Sequence, residues 1–319
     1  MAQKLSVVVP NFNGARFLPA CFAALQAQTY PNIEVILVDD GSSDHSVTLT
    51  RQNFPWVKVI QSPQNRGFIH ALNTGIRQAN GDIIVSLNND TEVELGWAKA
   101  LATALTATPQ AGIAASKIRL FDQRSHLHSA GDGFGSDGIP INRGVWQEDI
   151  GQFDQDQFIF GACGGAVAYT RSMLDDIGLY DEDLFMYCED VDLNWRAQLA
   201  GYRCIFVPQA IVYHHLSATG GGPLASFYTG RNTILVLIKS VPGIIWRKHL
   251  AKIVQAQLKI AYQALRAWRG EAARARLRGQ LAALFLLPRW LKKRRLIQTS
   301  KRVPNRYLET LLQDVDHTP

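Results

Sequence analysis

Ile33-Glu34-Val35-Ile36-Leu37-Val38-Asp39-Asp40-Gly41-Ser42-Ser43-Asp44 is the stretch on which the reading of the fold turns. An apolar run of strand length ends abruptly in paired carboxylates and a Gly/Ser turn. The same pattern recurs on either side. Upstream, Leu5-Ser6-Val7-Val8-Val9 runs into Pro10-Asn11-Phe12-Asn13-Gly14. Downstream come Val57-Lys58-Val59-Ile60 and then Ile83-Ile84-Val85-Ser86-Leu87, which ends in Asn88-Asn89-Asp90. Between these runs the period changes. Leu18, Cys21, Phe22 and Leu25 repeat as one helical face, as do Phe68, Leu72, Ile76 and Ala79. Strand and helix in alternation predict an α/β protein, with a mostly parallel sheet and helices on both faces. Ligands of such sheets bind beyond the carboxyl ends of the strands. Asn11, Asp39-Asp40, Asn65-Arg66 and Asn88-Asn89-Asp90 all fall at those ends or just after them.

Residues 119–157 are rich in Gly and Asp with weak periodicity, and read as a long, partly mobile segment near the site. A helix is expected over residues 190–200, with acids at its start and Gly201 as its stop, followed by a strand at Cys204-Ile205-Phe206-Val207. Past Pro242 the character changes to long, basic, amphipathic helices. This places a boundary near residue 240, between a domain of residues 1–240 and a helical region of residues 241–319. Residues 244–303 hold 16 Lys/Arg and one acid, Glu271, so the net +6 of the 319-residue chain hides an acidic body of −9. The four cysteines lack C-x-x-C spacing, which argues against a zinc or redox pair and for buried thiols in a reducing compartment. Residues 5–9 are too short for a secretory apolar segment, and no apolar run approaches a membrane span, so a cytoplasmic location is expected.

Three groups of residues could carry chemistry. Asp39 and Asp40 could accept hydrogen bonds from a pyrimidine N–H or a ribose hydroxyl, or they could cap the next helix, as Asp44 is expected to do. Asp90, with amide oxygen from Asn88 or Asn89, could hold a divalent cation (Mg2+ or Mn2+) that neutralises a diphosphate. In Glu189-Asp190-Val191-Asp192 one acid could serve as a general base while the others support it; the alternative is a helix start enriched in acids for its dipole. Later in the chain, His214 or His215 could add a metal ligand or touch phosphate. Arg231, just after Gly220-Gly221-Gly222 and Tyr228, could clamp a diphosphate or simply face solvent.

Together these residues resemble the family 2 glycosyltransferases of GT-A fold, and more narrowly their rhamnosyltransferase-like members. Val7 through Gly14 looks like the opening strand and loop, Val38 through Asp44 like the nucleotide-binding turn, and Asn65-Arg66-Gly67-Phe68 like the third signature. Leu87-Asn88-Asn89-Asp90-Thr91-Glu92-Val93 is similar to the D-x-D-like metal motif, with Asn88 at its first position. Phe160-Gly161-Ala162 opens the acceptor-side segment, and Glu189-Asp190 matches the catalytic pair. The resemblance covers roughly residues 5–240. It implies Asp190 as catalytic base, and Asp90 and His214 as metal ligands. It also implies substrate contacts at Pro10, Asn11, Asn13, Asp39, Asp40, Asn65, Arg66, Gly67, Asn88, Gly161, Glu189 and Arg231. The reaction would be a single inverting displacement from a nucleotide-diphosphate sugar, with rhamnose the leading sugar, onto a glycan or polyprenyl-linked acceptor in cell-surface polysaccharide synthesis. The Q-x-x-R-W motif of processive synthases is absent, so one sugar per encounter is expected.

The basic tail has two readings. Leu250, Ile253, Val254, Leu258, Ala261, Leu265 and Trp268 form an apolar stripe. With Trp290 and the run Lys292-Lys293-Arg294-Arg295, it suits the anionic inner face of a plasma membrane. The same stripe could instead pack on the catalytic domain or on a second subunit. Other functions fit less well. A nicotinamide dehydrogenase needs G-x-G-x-x-G after its first strand, where this chain has Pro10-Asn11-Phe12-Asn13-Gly14. A nucleotidyltransferase would show a Gly/Lys-rich phosphate loop near its start. A scaffold that keeps the fold would be expected to lose Asp90 or Asp190. Nucleic-acid binding is suggested by the tail alone and is not expected.

Overall fold

The alternation read around residues 33–44 folds as β1 (Leu5–Asn11), α1 (Leu18–Gln26), β2 (Ile33–Asp39), α2 (Ser46–Asn53), β3 (Lys58–Gln61), α3 (Phe68–Gln78) and β4 (Ile83–Leu87). The computed structural model describes residues 3–215 and 222–314. Strands β1, β2, β3 and β4 pair in parallel, in the order β4-β1-β2-β3. Their register sets Asn11 beside Asp39 and Asp39 beside Gln61, so the polar ends line one edge of the sheet. β1 is buried along its whole length, as a strand covered on both faces must be.

The chain continues through β5 (Thr91–Val93), α4 (Trp97–Ala107), β6 (Ala111–Leu120), β7 (Leu127–Ser129), β8 (Asp132–Gly135), β9 (Pro140–Asn142), β10 (Phe158–Ile159), β11 (Ala166–Thr170), α5 (Arg171–Ile177), α6 (Glu189–Ala200) and β12 (Arg203–His214). β11 enters antiparallel between β4 and β6, and β12 pairs in parallel with β6, extending the sheet beyond its four-strand half. Residues 119–157 are more regular than the weak periodicity suggested. They form short strands joined by turns in which Gly131, Gly138, Gly144 and Gly151 take positive φ, and Asp149 is tied to Lys117 at 3.0 Å and Arg119 at 2.7 Å. Strands of three or four residues are too short to show a period in sequence.

Beyond residue 221 come α7 (Gly222–Ser240), α8 (Gly243–Arg266), α9 (Glu271–Thr299), α10 (Asn305–Thr310) and β13 (Leu312–Gln313). α7 packs along α9, and β13 pairs in parallel with β8. The core of the sheet is continuous with these helices through Leu235, Ile245, Ile253, Ala283, Trp290 and Leu308. The helix packing overturns one reading of the tail. The inward face of α8 is Ile245, Ile253, Ala256 and Ala264, whereas Leu250, Val254, Leu258, Leu265 and Trp268 point to solvent, Leu258 at 64% exposure. Of the stripe, Ile253 turns inward, while its other large apolar side chains do not pack on the rest of the chain. Trp290 is not interfacial either: it is buried between the ammonium groups of Lys239 and Lys293, 5.4 and 5.0 Å from its ring centre.

Candidate active site

α6 is buried on every side except at one residue, Asp190. A helix apolar or ion-paired all round belongs in a core, so its single opening marks where chemistry can reach it. Asp190 Oδ2 accepts from the Gly164 N–H at 2.8 Å and Oδ1 from its neighbour Val191 at 2.7 Å. The low-polarity surroundings still raise its carboxyl above the usual range. Burial, then the charge of Asp190, pushes Glu189 up to about 8, and one buried oxygen of Glu189 has no hydrogen-bond partner. Asp132 on β8 is a third buried carboxyl here, also raised by burial and then by Asp190. It lies in the segment whose weak periodicity hid it.

The turn before α6 is strained. Phe185, Tyr187 and Cys188 all take positive φ, between 62° and 67°. Asn232 on α7 clamps it, its Nδ2 lying 3.0, 2.8 and 2.7 Å from the carbonyls of Leu184, Met186 and Tyr187. Arg231 shares this work, its Nη2 donating to the carbonyls of Asp183 and Leu184, so its guanidinium is engaged by the turn. Gly220 and Gly221 lie outside the described residues. Asp192, third of the acid group, is wholly buried against Lys239 (2.9 Å) and Arg196 (2.9 Å), and serves structure.

Across from Asp190 stands the end of β4. Asp90 is buried, and its Oδ1 lies 3.1 Å from His214 Nε2, yet no donor is aligned to bond it. The amide Oδ1 of Asn88 is likewise buried without a partner, while its Nδ2 is 3.3 Å from the same imidazole nitrogen. Two orphaned hard oxygens beside one imidazole suit a divalent cation. Among the described residues no set of three His, Cys, Asp or Glu gathers, so the protein's share is a carboxylate, an imidazole and an amide. Behind His214, its Nδ1 meets His128 Nδ1 at 2.9 Å, and burial pushes His128 down to about 4. No motif in the chain pointed to His128. Gly164 and Gly165 join the two halves. A Cβ on Gly164 would stand 3.2 Å from Asp190 Oδ2, and one on Gly165 3.6 Å from Asn88 Nδ2 and 3.7 Å from His214 Cε1.

A cleft of about 470 Å³ opens beside these groups, walled by Pro10, Asn11, Phe12, Asp40, Asn65, Gly67, Phe68, Asn88, Asn89, Phe185 and Tyr228, among others. Phe185 and Tyr228 stack at 5.2 Å. Five of the wall's polar groups were foreseen from sequence; the part that Phe185 and Tyr228 play was not, because they come from the turn before α6 and from α7. Asp40 reaches the wall while accepting from the backbone N–H groups of Arg66 and Gly67. Asp39 is fully buried one layer back, bonded to Asn11 Nδ2 at 2.9 Å and Ser42 N at 3.0 Å. It orients Asn11, whose Oδ1 in turn accepts from Asn89 at 2.7 Å. Three more foreseen residues fall outside the wall. Asn13 binds the Ser43 N–H and shapes the turn, Gly161 packs against Asn194, and the Arg66 side chain is exposed.

The parallel sheet with this cleft at its carboxyl edge has the GT-A fold. Solved structures share it: the mannosyltransferase PcManGT of Pyrobaculum calidifontis in complex with GDP-Man and Mn2+ (TM-score 0.57, 18% identity, 94% of this chain and 86% of that one). A second is Staphylococcus aureus TarS 1-349 with UDP-GlcNAc (TM-score 0.58, 18% identity, 97% and 84%). The chain belongs to Glycosyl transferase family 2, whose profile matches residues 6–178. Similar proteins include the N-acetylglucosaminyl-diphospho-decaprenol L-rhamnosyltransferase of Mycobacterium tuberculosis, 26% identical over 288 residues, covering 82% of this chain and 92% of that one. The poly-beta-1,6-N-acetyl-D-glucosamine synthase of Staphylococcus aureus is 27% identical over 237 residues; the match spans 69% of this chain and 54% of the synthase.

Proposed function

We propose that this glycosyltransferase moves one sugar per encounter, with inversion, from a nucleotide-diphosphate donor to a hydroxyl of a glycan or lipid-linked glycan. The observation that supports it is the Gly164-Gly165 pair, in which one glycine lies against Asp190 and the next against Asn88 and His214, the groups that adjoin the orphaned oxygens of Asn88 and Asp90. In a single displacement the acceptor oxygen attacks the anomeric carbon, the bond to the diphosphate breaks, and the nucleoside diphosphate leaves with the electron pair. Asp190 takes the acceptor's proton as the new bond forms. Its raised carboxyl makes it a stronger base than an exposed Asp. Asp90, Asn88 and His214 would hold a Mg2+ or Mn2+ ion, which when bound neutralises charge on the departing diphosphate. The aromatic and amide wall of the cleft suits a nucleoside. The mycobacterial relative's name makes rhamnose the first sugar to test.

The test is nucleoside-diphosphate release from a panel of nucleotide sugars with Mn2+ or Mg2+, run beside direct Mn2+ titration. Asp90→Ala should weaken Mn2+ binding by roughly tenfold or more and reduce turnover with it. Unchanged Mn2+ affinity in that variant would remove Asp90 from the metal site.

The acceptor reading extends to a peripheral contact with an anionic membrane. Among the described residues no helix is long and apolar enough to cross a membrane. The hydrogen bonds from Gln280 to Gln257, at 3.2 and 3.3 Å, align α8 antiparallel to α9. That register brings exposed Val254 and Leu258 level with exposed Leu281 and Leu284, near Phe285 at 85% exposure. Basic side chains flank this ridge, and each contributes about 1 kcal/mol near anionic lipid. Flotation with phosphatidylglycerol vesicles, but not with phosphatidylcholine, is expected, and Leu258→Glu with Phe285→Glu should abolish it. Equal flotation of the double variant would place the contact elsewhere.

A further inference from the structure

The cleft accounts for a donor, but a transferase needs room for a second substrate. A second cavity, of about 450 Å³, lies on the other side of α7. Leu224 and Tyr228 of α7 face the cleft, whereas Thr229 and Thr233 of the same helix face this cavity. Both spaces end on the strained turn: Phe185 and Met186 close the first, and Cys188 closes the second. Two cavities separated by one helix therefore converge on the residues that lead directly into Glu189 and Asp190.

The far wall of the second cavity carries Arg276 of α9. Its guanidinium is half-buried, and among the described residues no carboxylate, carbonyl or hydroxyl accepts a hydrogen bond from it. The other half-buried arginines of these helices are all engaged. Arg231 donates to the carbonyls of Asp183 and Leu184, Arg274 to those of Trp268 and Arg269, and Arg294 to those of Ile238 and Val241. A half-buried guanidinium that faces a cavity and has no protein acceptor is free to bind an anion there. Cys188 supplies no charge, because burial pushes its thiol up to about 12. The rest of the wall is mixed: the Thr229 and Thr233 hydroxyls suit phosphate oxygens, and Ile260 and Ala264 of α8 suit hydrocarbon. The outer side of α8 at the same height presents Leu258, Tyr262 and Leu265 to solvent, an apolar exit for a chain too long for the cavity.

We propose that this cavity is the acceptor site, and that Arg276 holds the phosphate of a diphosphate-linked lipid acceptor whose sugar hydroxyl points over Cys188 to Asp190. The proposal rests on the glycosyltransferase reading of the cleft and names the acceptor class for it. Binding and transfer are tested separately on the full chain. Decyl diphosphate, decanol and inorganic pyrophosphate are titrated into wild type, Arg276→Gln and Arg276→Lys, with unfolding midpoints measured alongside to establish that the variants fold. Wild type should bind decyl diphosphate more tightly than either other probe. Arg276→Gln should weaken that binding by roughly tenfold or more, and Arg276→Lys should recover part of it. In transfer to a lipid-diphosphate sugar, Arg276→Gln should raise the acceptor KM by a similar factor, with a much smaller change in kcat. Equal affinity of wild type and Arg276→Gln for decyl diphosphate would overturn the proposal. Pyrophosphate bound as tightly as decyl diphosphate would overturn the lipid class. Arg276-dependent binding in a protein that releases no nucleotide from any donor would instead overturn the catalytic reading on which the acceptor assignment stands.

Discussion

Asp190→Asn is expected to lower kcat by about 10²–10⁴-fold, the span a positioned general base supplies, with nucleotide affinity largely retained. The substitution keeps the shape and removes the basicity, and Asp190 is the one residue of α6 that is not fully buried. The pH dependence adds a sharper test. Burial raises the Asp190 carboxyl, so activity should fall on acidification at a higher pH than for an ordinary aspartate. Glu189, at about 8 against its ordinary 4.5, keeps its proton in the folded protein and loses it in the unfolded chain across that window. The folded state then binds more protons, so stability is complete below about 4.5 and declines as pH rises toward about 8. Glu189→Gln should flatten that decline. The depressed His128 acts in the opposite sense below pH 6.5, so the test is the difference between the two proteins: a Glu189→Gln midpoint that follows the wild-type pH dependence would contradict the assignment, as would an Asp190→Asn enzyme that retains most of its kcat.

Lys239→Met should cost about 3–5 kcal/mol of stability, the penalty for leaving buried charge without a partner. Lys239 is buried between Asp181, at 2.6 Å, and Asp192, at 2.9 Å. Lys293 of α9 closes on Asp181 from the other side, and against the opposing effect of burial Lys239 first and then Lys293 hold that carboxyl down at about 2. The network ties α6 and the turn before it to α7 and α9. Urea unfolding measures the loss, and the double variant Lys239→Met with Asp192→Asn should recover part of it because one stranded charge is then gone. A single variant as stable as wild type would show that the network contributes little.

The sheet was legible because buried parallel strands announce themselves as apolar runs, and because each ends where Asn11, Asp39 and Asn88 break the pattern. What sequence could not distinguish was which member of an acidic pair faces outward. Asp39 and Asp40 are adjacent, yet the strand's alternation buries the first behind Asn11 and brings the second to the cleft wall. Asp190 and Asp192 divide in the same way on a helix, one open and one locked to Lys239. Arg231 looked available because the carbonyls it binds lie 47 and 48 residues away. Asp132, His128 and Arg276 had no motif around them; their relevance comes wholly from what the fold packs beside them.

The return of the tail to the sheet also constrains how the chain is made. β13 pairs with β8, Leu308 of α10 is wholly buried, and Ser136 bonds Asp314 across 178 residues of sequence. A nascent chain that has released only the sheet from the ribosome therefore leaves one flank of its core, including the surface that Leu308 will cover, open to water. Long-range closure of this kind is slow and exposed to aggregation, so the nascent chain has most need of chaperones while residues 241–313 are still being synthesised.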